Sequence, residues 1–511
     1  MRVAVIGAGI GGLGTGVALR RSGFNDFTIF EKAPSIGGTW WYNKYPGAEV
    51  DSPSFIYTYS FLHYDWSRTH ARQGEILRYL ERVVDKFGLD DHIRCGTAVI
   101  SARWSEADHK YTVTTEDGEQ QVFDIVVSAT GFLSEPKVPD WPGWDEFQGP
   151  KFHSARWEAH HELSDKRVAL VGVGATAAQI APELAKTVSH LYIFQREPGW
   201  VIPKGSRDFT ADERVRYRLS RHFLRARLRE FINFERRQHG ASVFREGGGR
   251  NIALEKLARD YLDEVFADRP ELKDALTPGY AYGGKRTVYN DFYYPCLLRD
   301  NVELVPRAVT AFTADAVRDE AAEEHKVDAV VVATGFRTTD YLANLKVFGR
   351  DGREIHDVWA GEPEAFLGMM MTGFPNFFML YGPNTNGGTM VYQLERQADY
   401  VVACLRHLRR RHAASVEVRP WALRRYNAWI QHRLEGTIWQ TASNYFKSDS
   451  GKIVTQWPEG ALFYGALSRT LRYFPWQTRR PKPTAGAARR SNMAADRKAA
   501  AVSTAGTGEA K

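Results

Sequence analysis

The sequence predicts an α/β protein: two Rossmann-like domains of parallel sheet, with a helical insertion. Three observations carry that prediction. A short apolar run, a glycine-rich turn and a helical pattern open the chain at residues 2–12 and recur at residues 167–177. Each opening has a distant mate, the apolar segments at residues 124–132 and 328–336, both closing on Ala-Thr-Gly-Phe. Between the second opening and its mate, residues 210–279 turn helical and charged.

Taken in chain order, the first element is an apolar strand ending in Gly7, Gly9 and Gly12. Glycines at that spacing after a strand let the backbone approach a pyrophosphate, which then sits at the positive N-terminus of the following helix. The next strand, residues 27–30, presents Glu31, an acid placed to accept hydrogen bonds from ribose hydroxyls. A dinucleotide is therefore the expected ligand of the first domain.

The second opening carries Gly172, Gly174 and, at the third position, Ala177, where a small side chain suffices for helix–strand packing. Its next strand, residues 191–194, ends in Gln195 and Arg196 instead of an acid. A guanidinium there matches a 2′-phosphate in charge and in fork geometry, which argues for NADP over NAD. Glu197 beside it works the other way.

The intervening and flanking stretches set the domain plan. Residues 136–150, rich in Pro, Trp and Gly, read as an interdomain connection. The expected division is 1–142 and 338–478 for the first dinucleotide domain, 143–209 and 280–337 for the second, and 210–279 for the insertion. Residues 479–511, rich in Ala, Arg, Gly and Lys, have too little apolar content to fold and are expected to be a disordered tail. The arginine-rich run at residues 214–237 reads as a solvated amphipathic face, with contact to a membrane surface as the alternative.

Bulk composition excludes several classes. With 511 residues, 43% hydrophobic and 25% charged, the chain is long enough for two or three packed cores of an ordinary globular protein. The net charge of +7 comes without a recognised nucleic-acid motif, so no nucleic-acid partner is expected; anionic cofactors suit it instead. Cys95, Cys296 and Cys404 are isolated, which supports neither a redox disulfide nor a metal site. Sparse thiols, no leader pattern and no long apolar run predict a cytoplasmic protein without a transmembrane segment.

Further motifs follow in order: Gly37, Gly38, Thr39, Trp40; Tyr45, Pro46, Gly47 with Asp51; and Phe147, Gly149, His153, Trp157 in the pattern FxGxxxHxxxW. Together with the two fingerprints they resemble the class B flavin monooxygenases, specifically the type I Baeyer–Villiger monooxygenases, from the first residue to about residue 474. The resemblance implies FAD in the first domain and NADP(H) in the second. It implies that Thr39 and Trp40 lie along FAD, and that Tyr57, Val99 and Met390 contact it. Asp51 corresponds to the aspartate that positions and neutralises an active-site arginine. Within Gly283, Gly284, Lys285 and Arg286, Lys285 corresponds to a holder of the 2′-phosphate and Arg286 to the catalytic arginine. His153 corresponds to a linker element that couples domain motion to turnover. Ala175 and Thr176 complete the NADP loop with Ala177, where many relatives carry glycine and serine.

The implied reaction is Baeyer–Villiger oxidation, in which NADPH, O2 and a small hydrophobic ketone give an ester or lactone through a C4a-peroxyflavin. A fixed cation at Arg286 suits that chemistry, because negative charge develops on oxygen, and Asp51 supplies the counter-charge the cation needs. The alternatives are oxygenation of a sulfide or amine, or a reductase that releases no oxygenated product; the lack of a CxxC pair removes the disulfide-reductase form of the latter. The sequence departs from the family pattern at Glu158, where Pro or Asp follows the signature tryptophan, and at Asn444, where relatives carry a tryptophan between serine and tyrosine. Tyr392, Trp439 and Tyr445 are aromatic candidates for a hydrophobic substrate pocket, with core packing as the competing explanation.

Overall fold

The computed structural model describes residues 1–158, 160–238 and 243–480. The strand Val3–Ile6 lies at the centre of a five-stranded parallel sheet, between Phe27–Phe30 and Ile125–Ser128. Ile93–Arg94 and Phe377–Met379 form its edges. The second sheet repeats this plan strand for strand. Arg167–Val171 is central between His190–Phe194 and Ala329–Val332, with Val302–Val305 and Lys151–His153 at the edges. Both central strands are buried along nearly their whole length. Continuous apolar runs such as these are what a parallel sheet covered on both faces selects.

Each sheet also carries a three-stranded antiparallel excursion before its return strand. In the first domain it is Val99–Ser105, Lys110–Thr115 and Gln120–Phe123; in the second it is Val309–Phe312, Ala316–Asp319 and Glu324–Lys326. The chain re-enters the first sheet at Phe377–Met379, so the second domain is inserted within the first. The long helix Met390–Arg411 then packs on Ile10–Arg21.

The insertion comprises the helices Ala211–Arg218, Ser220–Gln238, Gly249–Val265 and Pro270–Leu276. Thr210 and Glu213 form a reciprocal capping box that fixes the start of the first, and Pro270 occupies the first turn of the last. The second helix reaches back across the first domain: Arg227 donates to the carbonyls of Phe55 at 3.2 Å and Thr58 at 2.9 Å. One boundary is corrected. Arg479, expected to begin the disordered tail, is the last residue of the strand Trp476–Arg479, pairs with Ser415 and forms an ion pair with Glu106. The remainder of that expectation, residues 481–511, lies outside the described residues.

Candidate active site

The first cradle forms where the central strand turns into its helix. Gly7 has φ +108°, and a side chain at Gly12 would collide with the Gly7 carbonyl, so the turn admits only glycine at both positions. Gly9 caps the helix Ile10–Arg21 without any side-chain partner for the first-turn N–H groups, which suits a pyrophosphate. Glu31 is buried beside this turn; its carboxylate accepts from the backbone N–H of Ala8 at 2.8 Å and of Ala33 at 2.9 Å. Both oxygens keep a lone pair for ribose hydroxyls.

Gly38 lies against Gly9 and opens the short helix Thr39–Tyr42. Trp40 donates its indole N–H to the Tyr57 hydroxyl at 2.9 Å, with the two rings perpendicular. Val99 starts a strand two residues beyond Thr97, whose N–H bonds the Glu31 carbonyl at 2.8 Å. Met390 starts the helix that packs on Ile10–Arg21.

The second cradle repeats the geometry with one change. Gly172 has φ +119°, and Gly174 caps Ala175–Leu184, again without a side-chain cap. Ala177 is fully buried, so a methyl is accommodated where Gly12 admits none. Thr176 bonds the Tyr45 hydroxyl. From the same helix, Gln179 bonds the Tyr45 hydroxyl at 3.1 Å and both backbone groups of Glu49. The segment that carries Asp51 is thereby tied to the second domain.

Past the next strand, Gln195 is buried and donates to the Ala275 carbonyl, while Arg196 is exposed without an ion-pair partner among the described residues. Glu197, expected to act against Arg196, instead makes an ion pair with Lys285. The acid therefore masks the second candidate phosphate ligand.

Arg286, one residue on, turns toward Asp51. Its Nη2 donates to Asp51 Oδ2 at 2.6 Å. Half of the Arg286 side chain faces the open cleft, with 51% of its surface exposed. Protein surrounds it closely enough for burial to oppose its charge; Asp51 and then Tyr445 outweigh that, and the net effect raises its pKa. Tyr45, Tyr57 and Tyr289 also feel this charge pair and Tyr381 feels its arginine, and burial pushes each phenol upward, Tyr45 and Tyr381 to about 12. These phenols thus stay neutral within electrostatic reach of a fixed cation. Sequence reasoning missed Tyr289 and Tyr381, which share no motif with Arg286, while Tyr45 was visible only as part of the motif that precedes Asp51.

Asn444 holds the arginine loop. Its Nδ2 donates to the carbonyls of Gly284 at 3.1 Å, Trp439 at 3.0 Å and Ala442 at 3.0 Å, and its Oδ1 accepts from Phe446 N–H at 3.1 Å. Of the aromatic candidates, Tyr445 stands beside Arg286, whereas Trp439 is buried against Phe244 and Tyr392 packs on Phe231. His153 ends an edge strand of the second sheet and packs edge-on against Phe336, past the return strand. Burial lowers its pKa to about 4.

A cavity of about 300 Å³ adjoins the charge pair. Its lining includes Asp51 and Tyr289, the aromatic residues Phe55, Phe209 and Tyr217, the cations Lys204 and Arg207, and Arg229, Asn233 and Phe234 of the insertion.

Comparison with known proteins agrees with this fold. Residues 1–239 match the family described as Flavin-binding monooxygenase-like. A Baeyer–Villiger monooxygenase of Streptomyces coelicolor is 37% identical over 94% of this chain and 93% of its own length. An oxidized steroid monooxygenase bound to NADP superposes with a TM-score of 0.84 at 29% identity, covering 94% of this chain and 99% of that one. A cyclohexanone monooxygenase bound to ε-caprolactone superposes with a TM-score of 0.82 at 29% identity and the same coverage.

Proposed function

The chain belongs to the Baeyer–Villiger monooxygenases within the flavin-binding monooxygenase-like family, and from that premise we propose how its residues divide the work. It is an FAD- and NADPH-dependent monooxygenase. The overall change is ketone, O2, NADPH and a proton to ester or lactone, water and NADP⁺. Bound FAD, reduced by hydride from NADPH, supplies the activation of O2.

The observation that carries the assignment of roles is the Asp51–Arg286 ion pair, which joins residues of the two domains whose glycine turns open helices without side-chain caps. Gly7, Gly9, Gly12 and Glu31 hold the FAD pyrophosphate and ribose, while Thr39, Trp40, Tyr57, Val99 and Met390 line its length. Gly172, Gly174, Ala175, Thr176 and Ala177 hold the NADP pyrophosphate, and Arg196 with Lys285 hold its 2′-phosphate. Arg286 presents its guanidinium where negative charge develops on oxygen, a fixed charge that needs no reorganisation during the reaction. Asp51 fixes the direction of that guanidinium and balances it when no anion is present. His153, at the end of the edge strand that follows the linker, couples domain movement to turnover.

The substrate is a small hydrophobic ketone, admitted through the cavity that Asp51 and Tyr289 help to line. Its aromatic walls favour apolar bodies, and the caprolactone held by a structural relative is the product of a cyclic ketone of this kind. The test is a panel of linear, cyclic, aryl and steroidal ketones with NADPH, scored by product mass. Ester or lactone one oxygen heavier than the ketone is the expected product. NADPH consumption yielding only hydrogen peroxide across the panel would overturn the proposal.

A further inference from the structure

The helix Ser220–Gln238 has a face that the reaction leaves unused. Inward, Phe223 and Ala226 are buried and Arg227 reaches the first domain. Outward, Leu224, Leu228 and Ile232 are 55%, 60% and 41% exposed. Their spacing of four residues aligns them in one stripe about 12 Å long. Exposed Val215 and Leu219 extend the apolar surface toward the preceding helix.

Arg216, Arg221, Arg225 and Arg236 are exposed around this surface, without ion-pair partners among the described residues. The acids of the helix do not offset them. Glu235 is buried, accepting from the N–H groups of Thr389 and Ala461, and Glu230 lines the cavity beside Arg229. The outward face is therefore apolar along its middle and cationic along its flank.

A face that is merely solvated has no use for three aligned aliphatic side chains. A second copy of the chain would set the same arginines against themselves. Apolar side chains beside unpaired guanidiniums instead fit the plane of an anionic bilayer, with the aliphatic groups at the headgroup–acyl boundary and the cations among the phosphates. No helix among the described residues is long and apolar enough to cross a membrane, so the contact is with the surface.

We propose that the helix Ser220–Gln238 docks this enzyme on anionic lipid surfaces. Arg229, Asn233 and Phe234 of the same helix line the cavity. Docking would then hold that cavity close to the phase in which apolar ketones concentrate. The docking itself does not depend on the chemistry assigned to the site.

The test is flotation of the full-length holoenzyme with vesicles of phosphatidylcholine alone, and of phosphatidylcholine and phosphatidylglycerol in equal parts. Wild type is expected to float with the anionic vesicles only, and to be released by high sodium chloride. The triple variant Leu224→Ser, Leu228→Ser, Ile232→Ser, and separately Arg221→Glu with Arg225→Glu, should each bind about tenfold less. Both variants should keep FAD and turn over a water-soluble ketone at the wild-type rate, which separates loss of docking from loss of fold. Three results would overturn the proposal: no wild-type flotation, flotation indifferent to the leucine variant, or a concentration-dependent dimer in lipid-free buffer that the leucine variant abolishes.

Discussion

Arg286 and Asp51 stand 235 positions apart in the chain, yet the guanidinium of one donates to the carboxylate of the other at 2.6 Å. The two residues come from different domains of the expected plan, so the pair exists only when the domains are docked. Asp51→Asn keeps the shape and removes the counter-charge. FAD should stay bound, while ester formation falls about a hundredfold, the loss typical when an oxyanion-stabilising group is disturbed. Product and hydrogen peroxide counted per NADPH consumed would check this; wild-type coupling in the variant would speak against the role given to Asp51.

The Lys285–Glu197 ion pair makes cofactor choice adjustable. Glu197→Gln should release Lys285 toward a 2′-phosphate and lower KM for NADPH about tenfold, a difference of roughly 1.4 kcal/mol, with little change for NADH. Arg196→Ala should raise KM for NADPH selectively. Parallel steady-state titrations with the two cofactors distinguish this from a general loss, which would shift both equally.

Asn444 acts on Arg286 through the loop it anchors. Asn444→Ala removes its bonds to Gly284, Trp439 and Ala442 at a cost of about 1 kcal/mol each where they are made. Asn444→Asp should be worse than Ala, because a carboxylate would face three carbonyl oxygens. The ordering wild type, Ala, Asp is expected both in ester kcat and in the thermal midpoint. An Asp variant as active as wild type would show that the loop is held by other contacts.

Acid should destabilise the fold through two histidines. Burial lowers the pKa of His153 and of His70, each to about 4, against the ordinary value near 6.5. Between those values the unfolded chain binds the protons that the folded chain refuses. Stability is therefore complete above pH 6.5 and declines as pH falls toward 4. His153→Gln should flatten that slope by about one proton, measured by denaturant unfolding at several pH values. An unchanged slope would mean that His153 is protonated in the fold.

What the sequence made legible was local. Both glycine turns, Glu31, the edge residue His153 and the arginine loop each sit in a contiguous motif, and the two parallel sheets follow from the repeated strand–turn–helix openings. Tyr289 and Tyr381 were not legible beside Arg286, since they meet it only through folding and carry no spacing signal. Glu197 was read against Arg196, its neighbour in the chain, because its partner Lys285 lies 88 positions away. Arg479 looked like tail by composition, but pairing with Ser415 and an ion pair with Glu106 order it in a strand. Aromatic candidates were ambiguous because buried indoles such as Trp439 and site-facing phenols such as Tyr445 share one composition.

We infer that Arg286 serves the oxygen-insertion step and not cofactor binding. Arg286→Ala, purified with its flavin, should be bleached by NADPH under anaerobic conditions at a rate close to wild type. On admission of O2 and ketone it should then give hydrogen peroxide and no ester. Ester formed at a near-normal rate by that variant would contradict the account.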